Sequence, residues 1–169
     1  MKKKFKHGII LPLKEIFLKN NSGAVSIYVN EYLNKSSLKE NTIVFTLKNK
    51  GEHLKKHVST VELKSNYFTN YNYIKKITNK KEFELLDTVE IHNRPNYAEY
   101  IMKRYPYKKI SLILHNIFFS KNTTLNNNRK LNLLTSCSSL IFVSKFLKDS
   151  FFKNLDINDA NNCHIIYNT

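Results

Sequence analysis

A chain of 169 residues is long enough for one domain with a sizeable core, and its 41% apolar content excludes a disordered polymer. Lysine and arginine number 28 against 13 acidic residues, a formal charge of +15 that disfavours basic partners and favours polyanions. Most of that excess is lysine, and asparagine is also abundant, a pattern that AT-rich codon usage produces without any functional demand.

In chain order, Met1–Lys6 is basic like the start of a signal peptide. The apolar run that follows is broken by Pro12 and by Lys14-Glu15, too early for a secretory core. No run approaches the roughly 18 apolar residues of a membrane span. The expected location is therefore cytoplasmic. GIILPL (8–13) is the first expected strand, and Ser22 is the expected N-cap of a helix over 23–33, where Val25, Tyr28, Val29 and Tyr32 recur at helical spacing. TIVFTL (42–47) and HVSTVEL (57–63) are the second and third strands. One basic amphipathic helix is expected over 70–84.

LDTVEI (86–91) is the fourth strand, and Pro95 suits the first turn of a helix running to about Tyr105. KKISLIL (108–114) is the fifth strand. The piece 122–128, NTTLNNN, reads as an exposed loop, followed by a short helix over 129–137. SLIFVS (139–144) is the sixth strand, 145–153 a helix, and CHIIY (163–167) the last strand. Cys137 and Cys163 lie beside apolar runs with no CxxC spacing, which argues for two buried reduced thiols and against a cysteine zinc site. No metal site is expected.

Strand–helix alternation with continuously apolar strands argues for a mostly parallel sheet of six to seven strands, covered by helices on both faces. That is a Rossmann-like, doubly wound α/β fold, expected here as a single domain over 1–169. In such a sheet, ligands bind outside the carboxyl ends of the strands. VEIHN ends on His92-Asn93 and LILHN ends on His115-Asn116, so adjacent strands would bring both histidines to one rim. Either alone is more often a solvated or hydrogen-bonded strand-end residue than a catalytic one, and it is the shared rim position that favours a site. The turn NNSGAV (20–25), with Ser22 and Gly23, precedes the first helix, where backbone N–H groups can meet a phosphate or simply form a capped turn. Ser144 ends the sixth strand and is a rim residue or the N-cap of the next helix.

These pieces, taken in order, resemble the N-terminal half of a GT-B glycosyltransferase of the family 4 type. The matching segments are SGAVSIYVNEYL, DTVEIHNRP, LILHN, IFVSKFLKDSFF and IIYNT, which span nearly the whole chain. The resemblance implies transfer of a sugar from a nucleotide-sugar to an acceptor hydroxyl, an envelope or lipid-linked glycan, with no cofactor beyond the donor substrate. It places Ser22, Gly23, Asn116 and Ser144 on the donor side and His115 beside the transferred sugar as the catalytic residue. His92, Asn93 and Arg94 would line the acceptor side, Arg94 pairing with an anionic group.

This sequence departs from the family pattern in three places. It has Ser-Gly where many members have Gly-Gly, and Ile117-Phe118-Phe119 where relatives often carry Asp and Pro after His-Asn. It also reaches the hinge at IIYNT without a second, donor-binding domain. A C-terminal domain partner is thus expected, and the isolated chain is expected to be inactive or very weak. Lys75, Lys76, Lys80 and Lys81, with Phe118, Phe119 and Lys121, suggest peripheral docking on an anionic inner membrane face. Vesicle flotation that survives Lys→Glu reversal at those four lysines excludes that docking.

The alternatives are a basic nucleic-acid-binding α/β module, a half-domain kept as a non-catalytic partner, and a Rossmann-like domain of another kind. No RNP, KH or helix-turn-helix signature supports nucleic acid, and no GxGxxG supports a dinucleotide.

Overall fold

The computed structural model describes residues 5–64, 69–116, 126–157 and 159–167. Seven strands alternate with six helices among them: β1 His7–Ile10, α1 Ala24–Lys35, β2 Thr42–Leu47, β3 Val58–Val61, α2 Asn70–Thr78, α3 Lys81–Glu84, β4 Thr88–His92, α4 Pro95–Arg104, β5 Lys109–Leu114, α5 Asn127–Ser136, β6 Ser139–Phe142, α6 Lys145–Phe152 and β7 Cys163–Ile165. The strands form one parallel sheet in the order β3-β2-β1-β4-β5-β6-β7. The chain steps outward from β1 to β3, crosses back to β4, and steps outward the other way. This is the Rossmann-like, doubly wound α/β fold expected from the sequence.

By packing, the chain divides into two compact units, residues up to Glu90 and residues from Ile91. In the first, β2 pairs with β1 and β3 in register, Ile9 opposite Val44 and Phe45 opposite Ser59. Ile9, Leu11, Phe17, Val25, Val29, Leu33 and Val44 form a core on which α1 lies. Val25, Val29 and Leu33 are the i, i+4, i+8 stripe of that helix, so the 3.6-residue period carries the packing. Phe45 meets Phe83 edge-on with centroids 6.2 Å apart, and the buried Tyr73 hydroxyl donates to the Phe45 carbonyl at 3.3 Å.

In the second unit, Leu112 stands opposite Leu140, and Leu140 opposite Cys163. Phe142 packs edge-on against Phe151 at 5.4 Å. The Asn162 amide donates to the carbonyls of Leu134 and Cys137 at 2.8 and 2.9 Å, tying the end of α5 to the start of β7. Fully burying a side chain such as Leu112 contributes about 1.5–3 kcal/mol.

Several boundaries differ from the sequence expectations. β1 ends at Ile10 rather than at residue 13, because Pro12 offers no N–H to the ladder, although the Leu11 N–H still reaches the Phe45 carbonyl at 3.1 Å. The helix expected over 70–84 is two. α2 stops at Thr78, whose hydroxyl donates to the Lys75 carbonyl, and Lys80 starts a new turn that Phe83 anchors in the core. α1 runs on to Lys35, and its N-cap position is Gly23, not Ser22. α5 begins at Asn127, inside the expected 122–128 loop, because the Asn126 side chain accepts the Arg129 N–H at 2.9 Å. The rest of that loop, with Phe118, Phe119 and Lys121, lies outside the described residues. No described helix is long and apolar enough to cross a membrane.

Candidate functional site

β4 and β5 each end on a histidine, and the second unit holds the two side chains together. His92 closes β4 and is fully buried. His115 follows β5 and is partly exposed. His92 Nδ1 lies 2.9 Å from His115 Nε2, and the rings stack with centroids 5.2 Å apart and planes 24° apart. In a neutral pair, one facing nitrogen carries the hydrogen and the other accepts it, so the two tautomers must be complementary. A proton placed on one ring can cross to the other along that contact.

Asn93 is what sets the pair. Its backbone is left-handed, φ 52°, a conformation that Asn tolerates better than most side chains. The turn lets its N–H donate to the Ile113 carbonyl at 2.8 Å while its side-chain oxygen accepts the His115 N–H at 2.7 Å. One buried residue thereby satisfies both the end of β4 and the residue that leaves β5.

Arg94 then occupies the N-cap position of α4, with Pro95 at the first helical residue. Its Nη1 donates to the Asn93 carbonyl at 2.8 Å. Its Nε is buried with no hydrogen-bond partner among the described residues. Asn116 is exposed. Ser144 caps α6, its hydroxyl oxygen accepting the Leu147 N–H at 3.2 Å. It follows β6, which pairs with β5 through Leu114 and Phe142, so Ser144 and His115 leave the same edge of the sheet.

The turn before α1, in the first unit, is built differently from the expectation. Ser22 donates its hydroxyl to the Leu18 carbonyl and does not cap the helix. The group at this helix N-terminus is the carboxylate of Glu15, which accepts the Ser26 N–H at 2.9 Å. A Cβ on Gly23 would stand 2.1 Å from that carboxylate oxygen, so the glycine makes room for it. The chain's own anion holds the position where the turn was expected to meet a diphosphate.

Glu90 was not singled out from the sequence. It is buried in β4, accepts the Tyr32 hydroxyl at 3.1 Å, and has the His7 ring 3.5 Å away. Burial, and then the charge and hydrogen bond of Glu90, push the Tyr32 phenol well above its ordinary range. The visible signal was an acid flanked by Val89 and Ile91 in an otherwise apolar strand. Glu15 had no comparable signal, because it reaches Ser26 across a loop with no fixed spacing.

Both cysteines are buried and free, and burial pushes their thiols up to about 12 for Cys137 and about 11 for Cys163. That makes them poor nucleophiles. Among the described residues no group of three or more His, Cys, Asp or Glu is placed to hold a metal ion. No protein-family model matches this chain, and no curated protein matches it at significant similarity.

Proposed function

We propose that this chain is the acceptor-side domain of a GT-B-type glycosyltransferase, with the His92–His115 pair facing the reacting sugar. The observation that carries the reading is the 2.9 Å contact between a buried histidine and a partly exposed one at the carboxyl ends of β4 and β5. Such a pair suits a group that must be oriented and must respond to charge. His92 fixes the His115 ring from behind, and Asn93 fixes its backbone.

In the transfer, the bond from the anomeric carbon to the donor phosphate oxygen breaks, and its electron pair leaves with the nucleoside diphosphate. The acceptor oxygen forms the new bond and gives up its proton to the departing diphosphate oxygen. His115, held in a defined tautomer, stabilises charge beside the anomeric carbon. Arg94, partly exposed at the start of α4, pairs with an anionic acceptor group such as a lipid-linked phosphate. Nucleotide binding falls mainly to a second domain, in keeping with Glu15 already filling the N-terminus of α1.

The test is NMR of the histidine side chains during titration with UDP-glucose, GDP-mannose and a short-chain prenyl-diphosphate-linked N-acetylglucosamine. The expected result is movement of the His115 and Arg94 side-chain resonances with at least one of these, lost in His115→Ala. If none of the three moves either residue, the reading is wrong.

A further inference from the structure

We propose that the groove between α2 and the segment leaving β3 binds a small soluble anion carrying two phosphate groups. It uses none of the histidine-pair residues and does not rest on the function proposed above. All of its residues belong to the first unit.

The groove encloses about 410 Å³, within the size range of small-molecule sites. Leu63 and Lys64, just past β3, form one wall. α2 supplies the other with Asn72, Lys75 and Lys76, and Asn79 follows at the C-cap position. These four are spaced i, i+3, i+4 and i+7, one face of a helix. Tyr73, Ile74 and Ile77 on the other side of α2 are buried, so core packing fixes which face the groove receives.

The lining is one-sided in charge, with three lysines and no acidic residue. Glu62, the neighbouring acid in the chain, is turned to Lys48, whose ammonium lies 3.2 Å from its carboxylate. The Glu62 carbonyl accepts from the Lys76 ammonium at 2.7 Å, which steadies that side chain between α2 and the end of β3. An ammonium has three N–H groups, so Lys76 keeps two for a ligand. Lysines in the last turn of a helix are favoured by its dipole, which accounts for Lys75 and Lys76. It does not account for Lys64, which comes from another element, nor for the two amides that complete the lining.

Exposure sets the charge the ligand must carry. Lys64, Lys75 and Lys76 are all exposed, and a single exposed ion pair contributes little. A ligand held here must engage several ammonium groups at once, which favours two phosphates over one. Leu63 is the only apolar side chain among the lining residues, so the groove suits a hydrophilic phosphorylated molecule. The overall charge of +15 raises the local concentration of such anions.

The experiment is a backbone amide NMR titration of the full chain at constant ionic strength. The probes are pyrophosphate, fructose 1,6-bisphosphate and inorganic phosphate. The expected result is saturable movement of the Leu63, Lys76 and Asn79 signals with at least one of the first two. Inorganic phosphate should bind about tenfold more weakly or worse. Lys64→Met and Lys75→Met each remove one charge at an exposed position and should weaken binding by about threefold. Lys75→Glu should abolish it. Lys35→Met, on α1 and outside the groove, removes the same charge and should leave binding unchanged. Absence of saturable movement with both two-phosphate probes would overturn the proposal. So would inorganic phosphate binding as tightly as they do, or Lys35→Met weakening binding as much as Lys75→Met, which would assign the effect to overall charge.

Discussion

Asn93 holds φ at 52°, where the Cβ of an ordinary residue crowds the neighbouring carbonyl, at a cost of about 1–2 kcal/mol. It also supplies the oxygen that accepts the His115 N–H. These two roles separate by substitution. Asn93→Gly should remove the hydrogen bond but keep the backbone, losing about 1–3 kcal/mol as the His115 N–H loses that acceptor. Asn93→Ala should lose about 1 kcal/mol more, because it also carries the left-handed strain. Urea unfolding of the two variants measures the difference, and equal losses would mean that the backbone at Asn93 is not strained. The sequence showed the identity of His92, Asn93, Arg94 and His115 and their position at strand ends. It could not show that Asn93 bonds to the residue after β5, because that depends on how two strands pair.

At the scale of elements, α1 shows how a helix terminus is satisfied by a residue remote in sequence. Its N-cap position, Gly23, has no side chain to offer, and Glu15 supplies the acceptor for Ser26. Gly23→Ala should expel the Glu15 carboxylate, since the new methyl would overlap the end of a flexible side chain. Glu15→Gln should weaken the same charge-assisted bond, and each change should cost about 0.5–2 kcal/mol. The two should not add, because each removes the same interaction. A double-mutant cycle by thermal unfolding measures this, and strict additivity would show that Gly23 and Glu15 act separately. The expected helix over 70–84 failed for a related reason. The apolar spacing of Tyr73, Ile74, Ile77 and Phe83 continues across Asn79, but the hydrogen bonding around Lys75, Ile77 and Lys80 closes one helix and begins another.

At the scale of the whole molecule, the alkaline limit of stability follows from groups that burial keeps protonated. Tyr32, Tyr28, Cys137 and Cys163 all have raised pKa values, from ordinary values of 10.0 for tyrosine and 9.0 for cysteine. When the folded value lies above the unfolded one, the unfolded chain releases its proton first. The stabilisation is therefore complete below the unfolded pKa and is lost as pH rises beyond it. Stability should be flat towards neutrality and decline once pH passes about 9 to 10. Tyr32→Phe should reduce the slope above that point. At neutral pH it should cost about 1–3 kcal/mol, because the buried Glu90 loses the Tyr32 hydroxyl as a donor. Urea unfolding across that pH range decides it, and an unchanged slope in Tyr32→Phe would exclude Tyr32 as a source.

The sequence by itself determined the fold class, the order of all seven strands along the chain, and the two histidines that end neighbouring strands. These rest on local pattern: apolar runs long enough for a strand, helical spacing between them, and Pro and Asn at the breaks. The tertiary structure alone decided which histidine nitrogens face each other at 2.9 Å and which carboxylate reaches the N-terminus of α1. Each of those depends on side chains brought together from separate elements, at distances of a few ångströms that no spacing along the chain encodes.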